Sequence, residues 1–380
     1  VFTENYAAVA AAKQKAEAFL EAAESDGYSN LICGYVRVGI GYSCLCKQQG
    51  DKPPEGAPQG GMAKPDMLLA SSVLCDPSYK WYQAMARYQD TPYYVYDVVK
   101  PPIDQDRNDL LVRNHYINYS LSQLRDFAAF CSRQTGRKLG EDRLWEKIKL
   151  GEEIHRLWWE CHEMRKAVPC PMPTADMLSC MVPGFFYGCS EESLQFYSEM
   201  KDELEDRIEK GVGTVEKEKY RFVWAGGVPP WHSMSLFNYI AERGGVFVSE
   251  ITYYPYEPYQ VEVKTNDPLE YLAVRDYERE AIRWRRAQES GCKDAYVQQL
   301  LDFVNDYQCT GMVMHGVKSC RVSTVGQIYN KNLIHEFVKV PTLFLESDMI
   351  DTRDFSRAHT EQKIDEFLSM VDQYMSPGGK

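Results

Sequence analysis

The sequence lacks any apolar run close to the ~20 uninterrupted residues that a membrane-crossing helix requires. Its first residues carry no basic segment followed by an apolar stretch, so no export signal is visible. Positive charge is in short supply: 43 Lys and Arg against 55 Asp and Glu leave a net charge of −12. With no basic stripe, the chain is a poor candidate for binding nucleic acid along its phosphates. Internal repeats, low-complexity tracts and long blocks of like charge are missing as well. No G-x-x-x-x-G-K-[ST] motif occurs. Gly211 and Gly213 begin a dinucleotide-like pattern, but residue 216 is Glu and no strand is expected before it. Neither standard phosphate cradle is therefore present. His162-Glu163 would open a zinc-protease motif, yet residue 166 is Lys where the second His belongs. There is no G-x-S-x-G elbow. Tight cysteine pairs of the structural-zinc kind are absent too. Cys161, Cys170, Cys180 and Cys189 are spread evenly and read as packing, and Cys44-x-Cys46 is too tight for two ligands of one ion.

What is present is an ordinary globular composition, 44% apolar and 26% charged over 380 residues. At roughly 100–200 residues per domain this suits two domains. Twelve cysteines without an export signal point to thiols in a reducing compartment, and the cytoplasm is the expected location. The chain opens with Val1 rather than Met, in what reads as the end of a strand, so further residues are expected upstream.

The sequence predicts a first helix capped by Thr3 or Asn5, with apolar positions recurring from Val9 to Ala23 and ended by Gly27, then a short strand over Leu31–Val38 and a loop over Gln48–Lys64. A buried strand over Met67–Leu74, a helix over Tyr79–Tyr88 and a strand over Pro92–Val98 follow. Long helices are expected over Asn108–Cys131 and Arg143–Met164, an irregular stretch over Pro169–Pro183 and a charged helix over Leu194–Glu209. Alternation then resumes. Strands are expected at Arg221–Ala225, Val246–Ile251, Gly311–His315 and Thr342–Glu346. The helices between and after them are Trp231–Arg243, Leu269–Glu289, Tyr296–Tyr307 and Gln362–Tyr374. This is an α/β pattern of two parallel-sheet, doubly wound arrays. The division falls at 1–195, carrying Cys33 and Cys75, and 196–380, carrying Cys320. Such sheets form sites at the carboxyl ends of their strands.

Three cysteines stand out by context. Cys33, Cys75 and Cys320 each end or follow an apolar, strand-like run and are flanked by small or charged residues. Three thiolates from distant segments would suit an iron–sulfur cluster with one iron left open, and three unrelated buried cysteines is the plain alternative. Lys318 and Arg321 are expected to favour the thiolate form. His232, after Pro229-Pro230-Trp231, is a candidate proton donor. His315, Glu250 and Glu346 are weaker candidates of the same kind. The aromatic run Ile251–Tyr259 reads as the lining of an apolar acyl pocket or, in preference, as an interface with another subunit, and Phe185-Phe186-Tyr187 as core.

The segments Thr3–Ala8, Leu31–Arg37 with Gly39 and Gly41, Val73–Asp76 with Lys80-Trp81, Gly311–His315 with Lys318–Arg321, and Pro341–Asp348 with Arg353 occur in order. In that combination the chain resembles the benzoyl-CoA reductase / 2-hydroxyacyl-CoA dehydratase family, from residue 3 to about 368. Arg221-Phe222-Val223-Trp224 followed by Pro229-Pro230-Trp231 looks most like the larger, cluster-bearing subunit of benzoyl-CoA reductase. The resemblance implies a 4Fe-4S cluster held by Cys33, Cys75 and Cys320 in the cleft between two α/β domains. It implies a homologous sister subunit, an ATP-hydrolysing activator, ferredoxin as electron donor and an acyl-CoA substrate, with no nucleic acid and no membrane. The implied reaction is ATP-coupled reduction of an aromatic acyl-CoA. The alternatives are a 2-hydroxyacyl-CoA dehydratase and a non-catalytic electron-relay subunit. One departure is visible. Where members often carry a Gln-rich turn after the equivalent of Arg353, this chain reads Phe355–Thr360.

Overall fold

The structure, a computed structural model, describes residues 3–73 and 75–376. The strand end read at Val1 and the last residue of the Met67–Leu74 run lie outside them.

Alanine-rich α1 (Thr3–Ala12) and α2 (Glu17–Ser25) open the chain. The periodicity predicts one helix here. There are two because Gln14 adopts a left-handed φ of 55° between them. Next comes α3 (Gly34–Gln48), whose residues from Gly34 to Cys44 are all buried. Its first half is the Leu31–Val38 run expected as a strand. A helix buried on every side has no polar stripe, and a short apolar run of that kind cannot be told from a strand by periodicity. Gly41 lets α2 and α3 touch. A Cβ there would lie 1.8 Å from the carbonyl oxygen of Phe19.

Strand β1 (Leu68–Ser71) pairs in parallel with β2 (Tyr93–Tyr96), with α4 (Asp76–Gln89) as the crossover. Among the described residues the first array therefore has two strands rather than a full doubly wound sheet. Four helices follow before the second sheet: α5 (Leu110–Thr135), α6 (Glu141–Met164), α7 (Thr174–Phe186) and α8 (Glu191–Glu209). Of these, α7 covers much of the stretch expected to be irregular. Pro183 lies inside it, three residues before its end. Residue 195, where the sequence divides into two arrays, sits inside α8.

The second sheet is fully parallel, in the order β4-β3-β5-β6. It comprises β3 (Tyr220–Gly226), β4 (Gly245–Glu250), β5 (Gly311–Val317) and β6 (Thr342–Ser347). Strands β4 and β5 are buried along their whole length, as expected when helices cover both faces. Those helices are α9 (Ser235–Ala241), α10 (Pro268–Glu289), α11 (Ala295–Asp306), α12 (Arg321–Thr324), α13 (Gln327–Phe337) and α14 (Arg357–Met375). The chain steps outward from β3 to β4, then returns to β5 on the other side of β3. That reversal is a topological switch point, where ligand sites open beyond the strand ends. Val317, Met349 and Ile350 from the ends of β5 and β6 join the hydrophobic cluster built on α1–α4. The first array is thereby seated on the carboxyl edge of the second sheet.

Candidate functional site

Cys33, Cys75 and Cys320 share one local setting. Each is the residue that precedes a helix: Cys33 caps α3, Cys75 caps α4 and Cys320 caps α12. Helix N-termini present unpaired N–H groups and positive potential to whatever sits in front of them. Cysteine is not a usual cap, so the sequence does not announce these helix starts. For α4, Pro77 in the first turn is the available hint.

The neighbours of the three cysteines are tied together. The N–H of Gly34 donates to Ser319 Oγ at 3.3 Å, and the Ser319 hydroxyl in turn donates to Asp348 Oδ2. The guanidinium of Arg321 pairs with Asp76, one residue beyond Cys320 and Cys75 respectively. Asp348 Oδ1 accepts from the N–H groups of Ile350 and Asp351, at 2.8 and 2.9 Å. Gly34 is obligatory beside it, because a Cβ there would come within 2.5 Å of Asp348 Oδ1. Cys33 and Cys75 both lie within electrostatic reach of Cys320.

Burial pushes the Cys33 thiol up to about 12 and also raises Cys75. Backbone N–H groups of Val36 and Tyr35 on Cys33, and of Ser78 on Cys75, act the other way. The expected cationic help is not what governs these thiols. Arg321 is engaged by Asp76, and Lys318 lies 3.9 Å from Asp354. Two of the three thiols thus resist ionising in the absence of a positive centre, and metal binding would have to displace their protons.

All three sulfurs are free of disulfides. Among the described residues no three His, Cys, Asp or Glu side chains converge as a single metal ion would need. A four-iron cluster draws its thiolates to separate irons, so its chemistry does not ask for that convergence, and free thiols are the donors it takes. The donor set fits.

Large apolar side chains near these cysteines are turned outward. Leu31 is 82% exposed, Val73 48%, Val322 64% and Val325 81%. Exposed apolar surface clustered around one place marks a contact face.

His232 is brought to this region, but both its ring nitrogens are engaged. Nε2 donates to the carbonyl of Asp348 at 3.0 Å, and Nδ1 lies 2.7 Å from Ser233 Oγ. Burial lowers its pKa. The geometry makes it a pin that holds the Asp348 turn against the start of α9. His315 is similar, with Nδ1 2.6 Å from Val228 O, Nε2 2.8 Å from Ser347 Oγ and its pKa lowered to about 4 by burial. Glu250 is away from the thiols, in a buried bidentate pair with Arg165 at 2.9 and 2.8 Å. Glu346 is exposed to solvent.

The aromatic run expected at an interface folds inward. Tyr254 is buried, edge-on to Phe303 at 4.7 Å and to His162 at 5.1 Å. Conversely Phe185 and Tyr187, expected in the core, are 49% and 66% exposed. Trp231 Nε1 donates to the hydroxyl of Tyr35, which also faces Tyr253 beside Cys33.

Two cavities open on the carboxyl side of β1 and β2. The first is largely apolar, lined by Leu69, Tyr82, Leu124, Phe127 and Leu272, and reaches Ser78, the hydrogen-bond partner of Cys75. The second shares Ser71, Val73, Tyr96 and Asp276 with it and runs on under α10.

A parallel α/β frame with three free cysteines, two of them beyond strand ends and each leading into a helix, defines a class of subunit with the donors for a thiolate-held cluster. The chain belongs to the family of the 2-hydroxyglutaryl-CoA dehydratase D-component, whose model matches residues 5–371. It is 26% identical to a benzoyl-CoA reductase subunit of Thauera aromatica, over 93% of this chain and 80% of that one. It is 24% identical to the (R)-phenyllactyl-CoA dehydratase alpha subunit of Clostridium sporogenes, over 96% of this chain and 83% of the relative. The (R)-2-hydroxyglutaryl-CoA dehydratase alpha subunit of Acidaminococcus fermentans is 22% identical, over 100% of this chain and 89% of the relative. The family resemblance read from the motifs is thus borne out, and reductase and dehydratase subunits lie at similar distance.

Proposed function

We propose that this chain is the iron–sulfur subunit of a benzoyl-CoA reductase type of enzyme, with Cys33, Cys75 and Cys320 as the ligands of a 4Fe-4S cluster. The observation that carries the reading is the linkage of the three capping cysteines through Gly34–Ser319 and Arg321–Asp76. A cluster held there would supply low-potential electrons to an acyl thioester. The helix N-termini of α3 and α4 would favour the added negative charge. His232 holds the Asp348 turn in place, and Asp348 in turn holds Ser319 next to Cys320. The exposed apolar rim at Leu31, Val73, Val322 and Val325 suits the sister subunit, whose arrival would exclude water from the thiols. An ATP-hydrolysing activator and ferredoxin in the cytoplasm complete the proposed system, because the chain carries no phosphate-cradling motif of its own. The division into units 1–195 and 196–380 belongs to the same proposal.

The aromatic side chains Tyr82, Tyr96 and Phe127 in the apolar cavity favour a flat aromatic acyl group. The dehydratase reading is favoured by the description of the matched family and by the phenyllactyl-CoA relative. Electron bookkeeping separates them. With limiting reduced ferredoxin under anaerobic conditions, the reductase should consume two electrons for each benzoyl-CoA reduced. Many turnovers of a 2-hydroxyacyl-CoA per electron, with no reduction of benzoyl-CoA, would assign the dehydratase instead. Iron and sulfide analysis tests the ligands: Cys320→Ala should lose most of both, and Cys131→Ala should keep them.

A further inference from the structure

A third cavity lies between α6 and α10 and shares Tyr259 and Arg279 with the second. Its character is different. Lys149 and Arg156 from α6 and Tyr271, Arg275 and Arg279 from α10 form its walls, with Glu152 and Glu153 as the acidic members. Tyr271, Arg275 and Arg279 are spaced i, i+4, i+8, so one face of α10 presents them together.

The cations are not equally satisfied. Arg156 is paired in bidentate fashion with Glu153, at 3.0 and 2.6 Å, and also with Glu160. Arg275 takes Asp276 at 2.8 Å and Glu152 at 3.2 Å. Arg279 has only what remains. Its nearest carboxylate oxygen is Glu152 Oε1 at 3.7 Å, which already accepts from Arg275 and from the Tyr271 hydroxyl at 2.9 Å. Its other contact is a 3.4 Å hydrogen bond from Nε to the carbonyl of Tyr259. Burial and Arg275 both lower its pKa, and Arg279 and Arg275 help lower that of His155 in the lining of the second cavity. Of the three arginines in the third cavity, Arg279 therefore has the weakest acidic partner.

The three cavities run in order of increasing polarity: apolar beside Ser78 and Cys75, mixed in the middle, cationic at Arg279. We propose that Arg279, with Lys149 at the rim, binds the phosphates of the nucleotide end of an acyl-CoA, whose acyl end lies in the apolar cavity next to Cys75. A guanidinium recognises phosphate by paired, charge-assisted hydrogen bonds, and a phosphate here would supply the partner that Arg279 lacks. The proposal rests on the acyl-CoA reading above and adds to it the place and residues that hold the coenzyme.

Calorimetric titration of the full chain with free coenzyme A, with benzoyl-CoA and with the benzoyl thioester of N-acetylcysteamine, which has no nucleotide, tests it. Arg279→Gln should weaken coenzyme A and benzoyl-CoA roughly ten-fold or more and leave the truncated thioester within about two-fold, as loss of a charge-assisted contact predicts. Lys149→Ala, on the surface and harmless to folding, should weaken the two nucleotide-bearing ligands by a few-fold. Unchanged coenzyme A affinity in both variants would overturn the proposal, as would equal weakening of the truncated thioester. Iron content of the same samples reports separately on the three-cysteine reading, so either idea can fail without the other.

Discussion

Gly34 and Ser319 meet through one hydrogen bond, N–H to Oγ at 3.3 Å, and each is the immediate neighbour of a cysteine that caps a helix. The Ser319 hydroxyl completes the link by donating to Asp348. Replacing Ser319 by Ala leaves the Gly34 N–H and one Asp348 oxygen without this partner. The expected cost is about 1–3 kcal/mol in urea unfolding. Cys320 should also become more reactive to a thiol reagent, since the loop that carries it loses an anchor. An unchanged unfolding midpoint and unchanged thiol reactivity would show that the bond holds nothing.

Gly41→Ala should be among the most damaging small substitutions. The added carbon would sit 1.8 Å from a backbone oxygen of α2, which no side-chain rotation can relieve. The two helices must separate, at an expected cost of about 1–3 kcal/mol or more. Gly140→Ala is the control, since its nearest neighbour would be an ordinary 3.8 Å away. Equal stability of the two variants would refute the close approach of α2 and α3.

Arg37 is 1% exposed and joins Glu24 and Asp351, each at 2.9 Å, so it fastens α3 to the turn after β6. Arg353 reaches the same two carboxylates. Arg37→Met should destabilise the chain by about 3 kcal/mol, the low end for breaking a buried pair, because Arg353 still neutralises the acids. The double variant with Arg353→Met should cost more than the sum of the singles. Simple additivity would show that the two arginines act independently.

His315 sets a pH dependence. Its pKa is about 4 in the folded chain and near 6.5 when unfolded. The folded state therefore resists protonation while the unfolded state accepts it. The stability is full above pH ~6.5, falls as pH drops from there, and levels off below about 4. The loss from this residue is on the order of 2–4 kcal/mol. His162, His155 and His232 are lowered by burial too and act in the same direction. His315→Gln should flatten the slope of unfolding free energy between pH 6.5 and 4. A slope identical to wild type would mean that His315 takes up its proton over the same pH range folded as unfolded.

The second sheet was legible because its strands are bounded, continuous apolar runs separated by helices of helical period. Gly311–His315 and Thr342–Glu346 were read almost to their ends. The first array was harder for two physical reasons. The α3 segment is buried all round, and its Val36, Val38 and Ile40 give a β-branched rhythm that suits a strand as well as a buried helix. Helices α12 and α13 were missed because outward-facing Val322, Val325, Ile328 and Tyr329 break the amphipathic pattern. The three cysteines were singled out by their context: Cys75 and Cys320 do follow β1 and β5 as read, whereas Cys33 follows a turn after α2, and the helix that each one leads into was not foreseen. His232 was read as free because nothing in its neighbours announces that the Asp348 carbonyl, 116 positions away, will occupy it.

The contact between Gly34 and Ser319 spans 285 positions of sequence. One consequence concerns the order of events during synthesis. When α3 and α4 have left the ribosome, their two cysteines are already in place, yet the third has not been translated. The trio is closed only after the second sheet has formed and the early helices have docked on its edge. Anything that must grip all three sulfurs at once can therefore enter only after Cys320 has been made and the two arrays have met.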